Sequence, residues 1–374
     1  MRVVIFTHSL ISDWNHGDAH FLRGISSELL CRGHKVSIFE PADGWSLRNL
    51  LAERGPDAVA EFSRAYPLLG SGFYTLETLS LEKEFRDASL VLVQQWNAAA
   101  LIRRIGEYRA SHSEFRLLFH DTHHRSVTDP AAMQAYSLSN YDGVLAFGNS
   151  VAEIYRAGGW AKRVWTWHEA ADVRVFRPLA RSATEGDLVW IGNWGDGERA
   201  AELREFLIEP VKALGLRARV YGVRYPRHAL DALAHAGIQY GGWLPNYCVP
   251  EVFSRFRVTV HVPRRPYSTA LPGIPTIRPF EALACGIPLI SAPWEDSEGL
   301  FQPGADYLEA RDGAEMRRHL KAVLNDPLLA ERLRSHGLAT IHSRHTCSHR
   351  VQELLEIYDK LAVDSPVAPL RCCR

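Results

Sequence analysis

Short, unbroken apolar runs recur along this chain, spaced so that amphipathic segments fit between them, and the series starts twice. Residues 3–6, 36–39, 90–93, 117–119, 144–147 and 164–167 make up the first series. A run that is apolar at every position, not at alternate ones, is the mark of a strand covered on both faces. Helical stretches such as Ala19–Cys31 and residues 98–109 lie between the runs. Strand and helix in alternation imply a parallel sheet wrapped by helices. After residues 170–184, which hold Pro178 and several small or polar residues, the pattern restarts with Leu188–Ile191 and continues at 220–222, 258–262 and 288–291. The expected architecture is therefore α/β, with two Rossmann-like parallel-sheet domains at residues 1–170 and 171–345. Residues 346–374 are expected to hold one more helix and a loose tail. In that helix, over 348–361, Val351, Leu354, Leu355 and Tyr358 share a face that could pack back on the first domain. Open α/β sheets bind ligands beyond the carboxyl ends of their strands, so both sheets are expected to face a central cleft.

A chain of 374 residues exceeds one ordinary core, which agrees with two domains. Lys plus Arg and Asp plus Glu number 43 each, and this balance argues against nucleic acid as a partner. It leaves room for a local basic patch and for peripheral membrane contact. No apolar run reaches the length of a transmembrane segment. The opening MRVVIF is too short for a signal peptide and reads as the first strand, so the expected location is cytoplasmic. The six cysteines form no CxxC pair, which disfavours a zinc site or a disulfide framework.

Four stretches can carry chemistry. Gly17 lies ahead of the first helix, where a glycine lets backbone N–H groups approach a phosphate; simple capping by Asn15 or Asp18 is the alternative. No GxGxxG is present, which disfavours a nicotinamide dinucleotide. The segment Phe119-His120-Asp121-Thr122-His123-His124-Arg125 follows a strand directly. His120 and Asp121 there are candidate catalytic residues, since a histidine can bind a sugar hydroxyl or move a proton near neutral pH. A polar loop whose histidines only cap or bond backbone is the competing reading. Metal ligation by His120 and His124 requires that stretch to be helical and is disfavoured. The third stretch runs from Gly192 and Asn193 through Gly195 and Gly197 to Arg199, a strand, a glycine-rich turn and a helix. It reads as a diphosphate cradle with Arg199 as charge partner, or as a surface turn. The fourth carries Arg264, Arg265 and Arg278 around a strand end, with Glu281 expected in the first turn of a helix. A carboxylate there can cap the helix or accept bonds from the paired hydroxyls of a ribose.

Residues 278–290, Arg-Pro-Phe-Glu-Ala-Leu-Ala-Cys-Gly-Ile-Pro-Leu-Ile, resemble the donor-binding motif of GT-B glycosyltransferases. Together with residues 304–307, His345-Thr346, residues 14–20 and residues 221–226, they resemble the CgeB-like, spore-maturation-protein branch. The likeness spans nearly the whole chain and is looser over residues 42–114. It implies a GT-B fold and a nucleotide-diphosphate sugar as donor. Glu281 would hold the ribose, Arg199 and Arg278 would lie near the diphosphate, His120 near the reacting sugar, and Gly17 in the glycine-rich loop of the first domain. Many retaining members carry two glutamates eight positions apart, whereas the earlier position here is Gly273, which leaves the stereochemical outcome open. The chain has no DxD pair, so phosphate charge is expected to be met by Arg264, Arg278, backbone N–H groups and a helix end, with no metal and no other cofactor. The function this implies is transfer of a hexose-type sugar to an unidentified glycan, protein or small molecule. A nucleotide-sugar 2-epimerase and a non-catalytic binding protein of the same fold are the alternatives.

Overall fold

The computed structural model describes residues 1–180, 183–195 and 197–364. These form two compact units. Met1–Ser12, Leu22–His168 and residues 348–364 make the first, and the described residues of Asp13–Phe21 with Glu169–Cys347 make the second. Pro366, Pro369, Cys372 and Cys373 of the expected tail lie outside the described residues.

The first unit is built on seven strands: β1 (Arg2–Phe6), β2 (Lys35–Pro41), β3 (Ser71–Tyr74), β4 (Leu90–Gln94), β5 (Arg116–Asp121), β6 (Gly143–Ala146) and β7 (Val164–Thr166). Their order in the sheet is β3-β2-β1-β4-β5-β6-β7, with every pairing parallel. Val3 aligns with Val36 on one side and Leu90 on the other, so apolar residues meet across the centre of the sheet. The inner strands β4, β5 and β6 are buried at every position, while the edge strands β3 and β7 are only partly covered. The helix Cys347–Asp364 belongs to this unit from Ser348 on. Its buried face is Val351, Leu354, Ile357 and Leu361, whereas Leu355 and Tyr358 flank it half-exposed. The indole Nε1–H of Trp167 donates to the Arg350 carbonyl at 2.9 Å and fixes the helix at its start.

The second unit has β8 (Leu188–Ile191), β9 (Ala218–Tyr221), β10 (Gln239–Tyr240), β11 (Val258–His261), β12 (Leu289–Ser291) and β13 (Leu308–Glu309). They are parallel throughout, in the order β10-β9-β8-β11-β12-β13. The chain leaves β8 toward β9 and leaves β11 toward β12, in opposite directions. Helices therefore diverge at the carboxyl ends of β8 and β11 and open a crevice there. The helical segment 200–214 is continuous but contains a wide turn at Arg204–Ile208, just before Pro210. Proline has no N–H to return to the carbonyl four residues earlier, and a π turn absorbs that mismatch.

Candidate functional site

The site grows from the carboxyl ends of β8, β9 and β11. Gly192 and Asn193 follow β8, and Gly222 and Val223 follow β9. The two turns touch so closely that a Cβ on Gly222 would lie 2.1 Å from the Gly192 carbonyl oxygen. Asn193 Oδ1 accepts the Val223 N–H at 2.8 Å, and the Tyr225 hydroxyl donates to the Gly192 carbonyl at 2.8 Å. The glycine-rich turn is thus held rigid from a neighbouring loop.

Three guanidinium groups gather beside it. Arg199 donates from Nε at 3.1 Å and from Nη2 at 2.6 Å to the Asn193 carbonyl, and from Nη1 at 3.0 Å to the Val262 carbonyl. Its Cζ stands 5.1 Å from the Trp190 ring centroid. Arg264 donates to Glu198 at 2.8 Å, and Arg278 pairs with Glu281. Burial, then the positive charges of Arg264 and Arg278, push Arg199 down to about 9. Arg199, which the sequence casts as a diphosphate partner, therefore spends three donors bracing the turn between β8 and β11 while adding its charge to the cluster. Crowding like charges this way is costly unless an anion relieves it.

Glu281 is fully buried and lies in the second turn of the helix Ile277–Cys285, so it is not a helix cap. Its Oε1 meets His20 Nδ1 at 2.8 Å and accepts from Asn246 Nδ2 at 2.7 Å, and its Oε2 accepts from Arg278. The Asp172 N–H donates to His20 Nε2 at 2.8 Å. An imidazole nitrogen that accepts carries no proton, so Nδ1 holds it and donates to Glu281. Burial pushes the Glu281 carboxyl up, but Arg278, His20 and Asn246 together outweigh it and leave it below the ordinary value. Nearby, burial and then the charges of Asp18 and Glu281 drive Glu169 well above the usual carboxylate range.

The segment Asp13–Phe21 is laced to the rest of its unit. Asp13 accepts from Trp243 Nε1 and from the Asn246 N–H, each at 2.9 Å. Asn15, at φ +51°, bonds Asn193. Gly17, Gly192, Asn193 and Arg278 line one small cavity with Asp13 and Trp243. Glycine is not sterically required at residue 17, since a Cβ there would only reach ordinary contact with Ile277, 3.7 Å away. Asp13, His20 and Asn246 were missed as site residues. His20 stands in the stretch that resembles the CgeB-like branch and Asp13 immediately precedes it, but nothing in the sequence sets Asn246 apart.

His120 and Asp121 belong to the first unit. They are the last two residues of β5, not loop residues, and both are fully buried. The His120 ring stands edge-on to Trp167 at 4.8 Å, and its Nδ1 lies 3.5 Å from Gln94 Nε2. Burial pushes His120 down to about 3. Asp121 accepts from the Tyr155 hydroxyl at 2.9 Å and from the His123 N–H at 3.0 Å. Burial pushes it up to about 7 against those bonds. Because residues 120 and 121 are in a strand, His120 and His124 do not have helical spacing. Among the described residues no group of three His, Cys, Asp or Glu side chains is placed to hold a metal ion.

Residues 199–356 match the family described as glycosyl transferase-like. No curated protein matches the chain. Among solved structures, the sucrose-phosphate synthase of Thermosynechococcus elongatus is similar at 14% identity and TM-score 0.67, covering 98% of this chain and 100% of that one. Anabaena HepE, in complex with UDP and glucose, is similar at 14% identity and TM-score 0.66, covering 96% and 99%. An alpha-glucosyltransferase in complex with UDP is similar at 14% identity and TM-score 0.68, covering 96% and 100%. Two parallel-sheet α/β domains of this kind make the fold GT-B. Among the described residues no helix is long and apolar enough to cross a membrane.

Proposed function

We propose that this chain is a glycosyltransferase of the CgeB-like branch that takes a hexose-type sugar from a nucleotide-diphosphate sugar, UDP being the first nucleotide to try. The observation that carries this reading is the guanidinium cluster of Arg199, Arg264 and Arg278 at the carboxyl edge of the second sheet. The N-terminus of the helix Ile277–Cys285 lies at the same place. Cationic side chains and a helix N-terminus together suit a diphosphate. The family match over residues 199–356 covers the same cluster, and two of the similar structures contain UDP.

In this reading Arg264 and Arg278 take the diphosphate, and Gly192, Asn193 and Gly17 bring backbone close to it. Glu281 takes a ribose hydroxyl. An ionised carboxylate has about four acceptor positions, and the described contacts use three. As the sugar departs, charge collects on the diphosphate, and preorganised guanidinium groups stabilise it in place of a divalent cation. His120 and Asp121 serve the acceptor side, the acceptor being a glycan, protein or small molecule, and the work is done in the cytoplasm.

Calorimetric titration with UDP, GDP, dTDP and their sugars tests the reading, alongside donor hydrolysis with and without EDTA. Arg278→Ala is expected to weaken nucleoside diphosphate binding by roughly ten- to a hundredfold. EDTA is expected to change nothing. A wild-type chain that binds none of these nucleotides refutes the proposal.

A further inference from the structure

A cavity of about 700 Å³ opens in the second unit beyond the ends of β11 and β12, and none of its lining residues lines the smaller cavity of Gly17 and Arg278. Trp294, Phe301 and Tyr307 give it an aromatic wall, and Glu202, Glu295, Asp296 and Glu309 give it carboxylates. No Lys, Arg or His is among the described residues that line it. Two of the four carboxylates are already engaged. Glu202 pairs with Arg265 at 3.0 Å, and Asp296 accepts from the N–H groups of Leu300 and Phe301 at 2.9 and 2.8 Å. The observation that points to a ligand is Tyr307. It is 2% exposed, and its buried hydroxyl has no acceptor for its proton. The indole of Trp294, its ring centroid 6.2 Å away, can only donate to that hydroxyl. Burial, then the charges of Glu309, Asp296 and Asp306, pushes the Tyr307 hydroxyl above its ordinary value, and the first two of those carboxylates line the cavity. The turn that presents Tyr307 has little slack. The Gly304 N–H donates to the Tyr307 carbonyl at 2.7 Å, and Asp306 accepts from the Gln302 N–H at 2.7 Å and from the Thr340 hydroxyl at 2.8 Å. A buried donor left unmet is costly, and one held in place at a cavity calls for an acceptor that a ligand brings.

These carboxylates repel an anion, so a phosphate or nucleotide has no place here. An organic cation suits them, but an ammonium group has donors only and cannot take the Tyr307 proton. A sugar hydroxyl does both: it donates to a carboxylate and accepts from a phenol, while the C–H face of a pyranose ring suits an aromatic wall. We propose that this cavity is a saccharide site separate from the nucleotide cavity, and that it takes a neutral pyranose of a glycan through Glu295, Glu309 and the Tyr307 hydroxyl. The two cavities share no lining residue, so this site stands whether or not the chain uses a nucleotide sugar.

Saturation-transfer NMR on the full chain, with and without UDP, tests the methyl glycosides of glucose, galactose, mannose and N-acetylglucosamine, together with cellobiose, maltose and lactose. At least one is expected to bind, with an affinity that UDP does not change. Tyr307→Phe keeps the ring and removes only the hydroxyl; it is expected to weaken that binding about tenfold without lowering the melting temperature. Ser268→Trp, at an exposed lining position, is expected to abolish binding by filling the cavity, and it decides the matter should Tyr307→Phe melt early. No binding by any of these saccharides overturns the inference, as does binding that a folded Tyr307→Phe leaves unchanged. Binding that UDP displaces puts the saccharide in the nucleotide cavity and also overturns it. Spermidine or choline bound in place of every saccharide, and lost in Ser268→Trp, makes this a cation site and overturns it in turn. A chain that binds saccharide but no nucleoside diphosphate keeps this inference and loses the function proposed above.

Discussion

At the scale of single residues, the buried ionisable groups set opposing pH dependences. Asp121, raised from 3.8 to about 7, keeps its proton in the folded chain where the unfolded chain has lost it. Its contribution is fully present below about pH 4 and is lost as pH rises to about 7, a change of at most about 4 kcal/mol. His120, lowered from 6.5 to about 3, acts in the other sense: its contribution is present above pH 6.5 and is lost as pH falls through about 3. The two slopes offset each other over the shared window. Urea unfolding of Asp121→Asn between pH 4 and 8 should therefore show stability rising up to about pH 6.5 and then levelling. His120→Asn should show it falling toward pH 7. A flat profile in both variants would show that neither group titrates as described. Glu281→Gln sets an amide against Arg278 inside the network of His20, Asn246 and Arg278. It should cost on the order of 3 kcal/mol in denaturant unfolding. A loss confined to nucleotide binding, with stability intact, would contradict the buried network.

At the scale of elements, the carboxyl-end turns of β8 and β9 act as one piece. The approach of Gly222 to the Gly192 carbonyl leaves no room for a methyl group. Gly222→Ala should cost about 3 kcal/mol or more and abolish nucleotide binding, both measurable on the purified variant. Near-wild-type stability would mean the two turns can part. The same scale shows which strands the sequence revealed. Leu188–Ile191 is buried at all four positions and is apolar at all four, so its role is visible in its composition. The edge strands β3, β10 and β13 were not expected. Gln239–Tyr240 is two residues long and exposed, and Ser71–Tyr74 is half-exposed, so neither needs the apolar run that identifies an inner strand. The buried face of the last helix was shifted for a related reason: Leu355 and Tyr358 fit the period, but what packs on the helix selected Ile357 and Leu361.

At the scale of the whole molecule, a nucleotide sugar bound only by the folded chain should raise its melting temperature. At a hundred times the dissociation constant the gain is about 2.7 kcal/mol, worth a few degrees for a chain of this size. A thermal-shift series over nucleoside diphosphates should show this with or without EDTA, and no shift from any of them would argue against the proposed function. The two series of inner strands, their parallel arrangement and the guanidinium-rich strand ends were determined by the sequence alone. Apolar periodicity and turn chemistry are local properties, complete within a dozen or so residues. Only the tertiary structure decided that Asp13–Phe21 joins the second unit, and that His20 meets Glu281 across 261 positions of chain. It alone turned Arg199 inward onto two carbonyls and buried His120 and Asp121 in a strand. Each of these depends on which distant segments pack together, and that is a sum over many weak contacts which no short stretch of sequence contains.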